Sequence, residues 1–388
     1  MIVATIVTAL GLFLVGGITQ LYGYRLGGAI AIPVLAVYTL KNVVMLPIFV
    51  LSTLLAFVGL WLIKQKSLIY GRDELLVSMA IGSLLPLSIL VVFDILVGGV
   101  LRSVVFVGSI LPGLAAYNYH QVKPQYRLND AVATTLLFCV LFGLGWLLIT
   151  PELAAAIGTI TPPALYTETS DIAVYKGATV TAYLDPTILP RASTVTLFLF
   201  GLFASERVRG RYGLRIGLVS LPLLAIYTLA SIWLVVLYVL LLVAAFVFLE
   251  GLHHASLLYG RVLISLTTAV TLLLALPSVL ALPIVRGLSA YFVAILAGIN
   301  AYNLHTAPES KRPLFVPIQI GIYVGMVLLA RSTTGVRPRG APQTFGFPEI
   351  VIGVAIVLVC LILVEYAVVD LPDRDDVFAA SILSGDDE

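Results

Sequence analysis

Two short polar strings in the chain each occur twice. Tyr70-Gly71-Arg72 returns as Tyr259-Gly260-Arg261, and Asn118-Tyr119-His120 returns as Asn303-Leu304-His305. A guanidinium presents a planar fork of N–H donors that grips a carboxylate through two bonds. Arg72 and Arg261 each follow a hydrophobic run. They are candidates to face each other across an interface between the two halves and hold an anion. Tyr70, Gly71, Tyr259 and Gly260 would support them, each Gly permitting a tight helix-ending turn. The plainer reading is that both arginines snorkel from helix ends to the membrane surface. Arg102 and Arg286 form a looser second pair. An inner and an outer pair suit passage of a polyanion, and interfacial anchoring is the alternative. Asn118, His120, Asn303 and His305 are supporting candidates at the same mouth. Helix C-terminal chemistry also accounts for them, because Asn caps a helix end and His favours the negative end of its dipole.

Asp94 and Glu250 lie in or near the end of apolar runs, where a carboxylate is a candidate for proton coupling. Neither recurs: the positions 189 residues away are Pro283 and Trp61. The four histidines show no H-x-x-x-H spacing and no carboxylate companion, so neither metal nor cofactor is expected. Phosphate-loop, GxSxG, HExxH and CxxC motifs are absent as well. No catalytic role is expected of this chain.

These residues must be held by membrane helices. Of 388 residues, 60% are apolar and only 11% charged. A soluble domain carries about 25% charge, so a water-soluble enzyme is excluded, and disorder needs the opposite composition. The expected fold class is all-α, a polytopic integral membrane protein with about 13 transmembrane or re-entrant helices. The net charge of +2 points to no nucleic acid. Cys139 and Cys360 both sit in apolar runs and read as buried thiols. Arginines outnumber lysines and Asp370–Glu388 is acidic, a bias resembling salt-adapted archaeal proteins. The apolar start, without a basic flank, reads as a first membrane helix and not as a cleaved leader.

Apolar segments run near 2–21, 26–40, 43–63, 75–97, 103–119 and 131–149, then 192–205, 214–230, 232–252, 262–284, 288–304, 314–330 and 349–369. Those at 26–40, 103–119 and 192–205 are short for a span. Pro33, Pro86, Pro112, Pro222 and Pro277 interrupt apolar runs and are expected to kink them.

The halves repeat each other. Pro33–Leu40 matches Pro222–Leu229 and Ser67–Arg72 matches Ser256–Arg261, both at an offset of 189; Tyr22–Arg25 matches Tyr212–Arg215 at 190, and Ala116–His120 matches Ala301–His305 at 185. Tandem duplication of one membrane module accounts for this. The expected organisation is a first repeat at 1–150, an external loop at 151–191, a second repeat at 192–331, a loop at 332–348, an extra transmembrane helix at 349–369 and an acidic cytoplasmic tail at 370–388. Within the external loop, Ile172–Tyr175 and Ala178–Tyr183 suit a two-stranded hairpin. With six spans per repeat, 14 of the 22 basic residues fall on one side. The positive-inside bias makes that side cytoplasmic, with the N-terminus outside, the C-terminus inside and the repeats parallel.

Each half resembles the CapC/PgsC family, the membrane subunit of poly-γ-glutamate capsule synthesis. The shared features are a short Gly-rich segment interrupted by proline (Gly27, Gly28, Pro33), the Leu-Tyr-Gly-Arg type junction, and the turn Leu111-Pro112-Gly113-Leu114-Ala115 before Asn118. The second half departs at Ala297, which replaces that proline, so its bend is in doubt. Family members are about one repeat long, so the chain resembles two fused copies. The resemblance implies a membrane partner of an ATP-dependent, Mur-ligase-like amide ligase and of other capsule-synthesis membrane subunits. The complex would make an anionic polymer and export it across the bilayer, with ligation in the partner. A secondary transporter for a small anion, built from parallel repeats, is the alternative. A membrane enzyme acting at the interface is supported least.

Overall fold

The computed structural model describes residues 1–97, 110–180, 188–217, 219–256, 258–333 and 340–369. They form fifteen α-helices and no strand: α1 (Ile2–Tyr22), α2 (Ala31–Lys41), α3 (Met45–Lys66), α4 (Arg72–Val97), α5 (Leu111–His120), α6 (Arg127–Leu148), α7 (Pro151–Ile157), α8 (Asp171–Tyr175), α9 (Arg191–Tyr212), α10 (Ser220–Thr228), α11 (Trp233–Ser256), α12 (Gly260–Ala281), α13 (Gly287–His305), α14 (Arg312–Ser332) and α15 (Phe347–Val369). Eight helices among the described residues are long and apolar enough to cross a membrane: α1, α3, α6, α11, α12, α13, α14 and α15. The protein is a polytopic, all-helical membrane protein. Lipid is as apolar as leucine, so helix association rests on close packing. Gly82 and Gly113 supply that between α4 and α5, where a Cβ on Gly82 would come within 2.2 Å of the Gly113 backbone N.

The first six helices and α9–α14 follow the same order. α1 and α9 both end at a glycine in the left-handed region, Gly23 at φ 69° and Gly213 at φ 69°. The two sets interlock reciprocally: α1 packs along α12, and α4 along α9. Cross-contacts join the ends of α1, α5 and α9 to the starts of α4, α6 and α12, so helices that match in sequence run in the same direction. We call this the basic end.

The short segments resolve differently from one another. The 192–205 segment belongs to a helix of 22 residues, α9, because its polar turns Glu206–Tyr212 continue the helix. The 26–40 segment yields only 11 helical residues, all buried. At 1.5 Å per residue α2 rises about 16 Å, half of a hydrocarbon core. Of the 103–119 segment, only the part from Ile110 onward is described.

Proline placement also departs from the expected kinks. Pro33 and Pro222 lie in the first turns of α2 and α10, and Pro112 in the first turn of α5, where the missing N–H costs nothing. Only Pro86 and Pro277 of the five fall in helix interiors. With Ala297 in place of Pro112, α13 runs unbroken through Leu296-Ala297-Gly298.

The expected hairpin at 172–183 is not formed among the described residues. Ile172–Tyr175 belongs to α8, closed by Gly177 at φ 65° and a bond from Ala178 N to Ala173 O of 2.8 Å. A left-handed glycine with this reach-back bond is a helix C-terminal motif, and it outcompetes the strand propensity of Ile and Val. Residues 181–187 lie outside the described residues. The segment covers the opposite end of the bundle. Buried Lys41 Nζ donates to Ala164 O at 3.0 Å, and Val43 N to Asp171 Oδ2 at 2.9 Å.

Candidate functional site

The basic end is built around a non-helical loop. Because α2 covers half the membrane depth, Gly23–Ile30 must cover the rest, and its backbone groups need partners there. Arg25 N and Leu26 N both donate to Asp130 Oδ1, at 2.7 and 3.1 Å. Asn118 Nδ2 donates to Gly27 O at 3.4 Å and to Leu114 O at 2.8 Å. Leu26, Gly27 and Gly28 all have positive φ, and a Cβ on Gly28 would meet Asn118 Nδ2 at 2.8 Å. The glycine pair is therefore required twice over, by conformation and by space. Asn118 is not the helix cap: that position is Gln121, and Asn118 is buried one turn earlier.

Arg72 and Arg261 do not meet. Each crosses to the other half. Arg261 Nη2 donates to Asn118 Oδ1 at 2.9 Å, with Arg25, Tyr117 and Asp130 as electrostatic neighbours. Arg72 Nε pairs with Glu206 at 3.2 Å and its Nη2 donates to Ser205 Oγ at 3.3 Å, with Arg209 and Arg215 nearby. Gly71 and Gly260 have φ of 61° and 64°, but they open the next helix and do not close the previous one. Tyr70 and Tyr259 are each 81% exposed, in keeping with aromatic residues at a membrane–water boundary.

The two histidines occupy matching nodes. His120 Nε2 contacts Phe57 O at 2.9 Å, with ring centroids 4.1 Å apart, and Arg127 lies over Phe57 at 5.8 Å. His305 lies against Phe246 at 6.5 Å, with Arg312 over that ring at 5.7 Å. Glu250 joins the second node only, 3.1 Å from His305 Nδ1 and 3.3 Å from Arg312. Asn303 lines a cavity of about 280 Å3 with Gly213, Arg215 and Thr306. At the matching place in the first half, a cavity of about 510 Å3 is lined by Tyr22, Tyr24, Arg25, Lys123, Tyr126 and Asp130 among others. Arg286 is buried at the start of α13, at the opposite end from Arg261. Arg102 lies outside the described residues, and Asp94 falls within α4, its side chain outside the description.

Asp130 and Arg25 are site residues that the sequence reading did not single out. A signal was present in both. Asp130 is an acidic residue just inside a membrane helix, and Arg25 recurs as Arg215 in a matched string.

Residues 10–128 match the family model for capsule biosynthesis CapC. The matched stretch holds the glycine loop, α2, Arg72 and the Leu-Pro-Gly turn, so the resemblance read from those residues stands over that stretch. No curated protein and no solved structure matches the chain.

Proposed function

We propose that this chain is the membrane subunit of a poly-γ-glutamate, capsule-type polyanion synthesis and export complex. It anchors an ATP-dependent, Mur-ligase-like ligase at the basic end and guides the anionic polymer outward. The chain is read as two tandem copies of one module, with the basic end cytoplasmic. The match to the capsule biosynthesis family supports the setting. One observation carries the polyanion role: Arg261 ends on a neutral acceptor, Asn118, with Arg25 beside it. Two neighbouring guanidiniums with no carboxylate bonded to either among the described residues suit a receptor for carboxylates. Arg286, buried at the opposite end, and Arg102 would act further along the path. A charge-reversing Arg72→Glu/Arg261→Glu double variant is expected to stop polymer export while the protein still reaches the membrane. Normal export by that variant would refute the assignment. Co-purification of a ligase from the native host tests the partner.

A second reading has an observation in its favour. α2 and α10 are short and wholly buried, as are the discontinuous helices at transporter binding sites. A secondary transporter for a small anion predicts counterflow in liposomes containing this chain alone.

A further inference from the structure

The larger cavity at the basic end carries charges of both signs. Arg25 and Lys123 line it, and neither side chain has a hydrogen bond or ion pair among the described residues. Asp130 also lines it and is 1% exposed. Its Oδ1 is fully used by the two loop N–H groups, while its Oδ2 has no hydrogen-bond partner among the described residues. Arg261 is an electrostatic neighbour, yet its guanidinium bonds Asn118, and no ion pair joins it to Asp130. A buried carboxylate oxygen left without a donor is costly, and with Oδ1 already occupied an ammonium, a compact charged donor, suits the one free oxygen. The two unpartnered cations meanwhile call for carboxylates.

We propose that this cavity binds the free amino end of an acidic chain, with its ammonium at Asp130 Oδ2 and its carboxylates at Arg25 and Lys123. The proposal rests on the polyanion reading above and specifies which end of the polymer is held, and where. The site is built in one half only. The Arg127 and Arg312 nodes align the two halves at this point, and the alignment puts Phe315 where Asp130 stands and Pro308 where Lys123 stands. Phe315 is 1% exposed and fills apolar space. The matching cavity keeps one arginine, Arg215, and lacks the carboxylate.

The test uses the full chain in lipid nanodiscs and two probes, a triglutamate peptide with a free amino end and the same peptide N-acetylated. The free peptide is expected to bind about tenfold tighter or more, the value of one charge-assisted bond. Asp130→Asn keeps an oxygen for the two loop N–H groups and turns the other position into a donor. It is expected to erase the difference between the probes. Lys123→Gln is expected to weaken both probes alike. Equal binding of the two probes by the native chain overturns the proposal, as does no binding of the free peptide. That comparison needs no variant, so it decides the matter even if Asp130→Asn fails to fold. Export lost in Arg261→Glu together with equal probe binding would overturn the amino-end site and leave the export role standing. Discrimination between the probes with export intact in the double variant would do the reverse.

Discussion

The two Tyr-Gly-Arg arginines begin from the same local sequence and end against different partners, one charged and one neutral. Arg72 meets a carboxylate supplied by the protein, Glu206 on α9. Arg261 stands in the first turn of α12, which packs along α1, and the matched α1 and α9 caps, Gly23 and Gly213, put Gly16 where Glu206 would be. A Cβ on Gly16 would rest 3.7 Å from Ser265 and 3.9 Å from Val262, so that position does face α12 beside Arg261. One arginine is ion-paired within the protein, and the other, with Asp130 as an electrostatic neighbour, is the one proposed above to receive an outside anion. Identical motifs thus acquire different partners through the helix that each one meets.

The largest expected effect comes from Arg261→Gln. Export should fall about tenfold or more, as one charge-assisted anion contact is lost. Arg72→Gln should leave export near native. Quantifying extracellular polymer from both strains checks the pair, and an equal fall in both would break the comparison. Next is Gly16→Glu, which plants a carboxylate opposite Arg261. It should lower anion binding several-fold by internal competition. The substitution also removes a helical glycine, which favours the helix by about 1 kcal/mol, so a lower Tm would contradict a purely electrostatic effect. Third, Glu206→Gln should uncover Arg72 and add a second, weaker anion site, seen as a rise in binding stoichiometry. Glu206 is partly exposed, with a side-chain accessibility of 35%, so its stability cost should stay within about 1 kcal/mol. Smallest is Glu250→Gln. Glu250 pairs with His305 and Arg312, and if those contacts only tie helix ends together, proton-driven uptake by reconstituted protein should not change. Loss of such uptake would support proton coupling at Glu250 and favour the transporter reading.

Much of this was legible along the chain. The segment near 2–21 became α1, Ile2–Tyr22, and that near 349–369 became α15, Phe347–Val369. Long apolar runs have one stable form in lipid, because only a helix satisfies its own backbone there. Regions with a choice of partner were less legible. The 26–40 segment is apolar throughout, but nothing local says that its first residues leave the helix. The loop exists because Asp130, 104 residues from Leu26 in the chain, accepts two of its N–H groups. Asn118 read locally as a helix cap and serves as a bracket between the glycine loop and Arg261.

The sequence by itself determined the membrane setting, the long apolar helices, the recurrent arginine strings and the family resemblance over the first half. Each depends on composition or on neighbours a few residues apart. Only the tertiary structure decided that Arg72 and Arg261 do not face each other, that Glu206 closes one of them, and that Arg25, Lys123 and Asp130 share one cavity. Those outcomes depend on which helix ends meet across the bundle, through contacts more than a hundred residues apart. A charge acquires its function from the group placed against it, and a local motif does not specify that group.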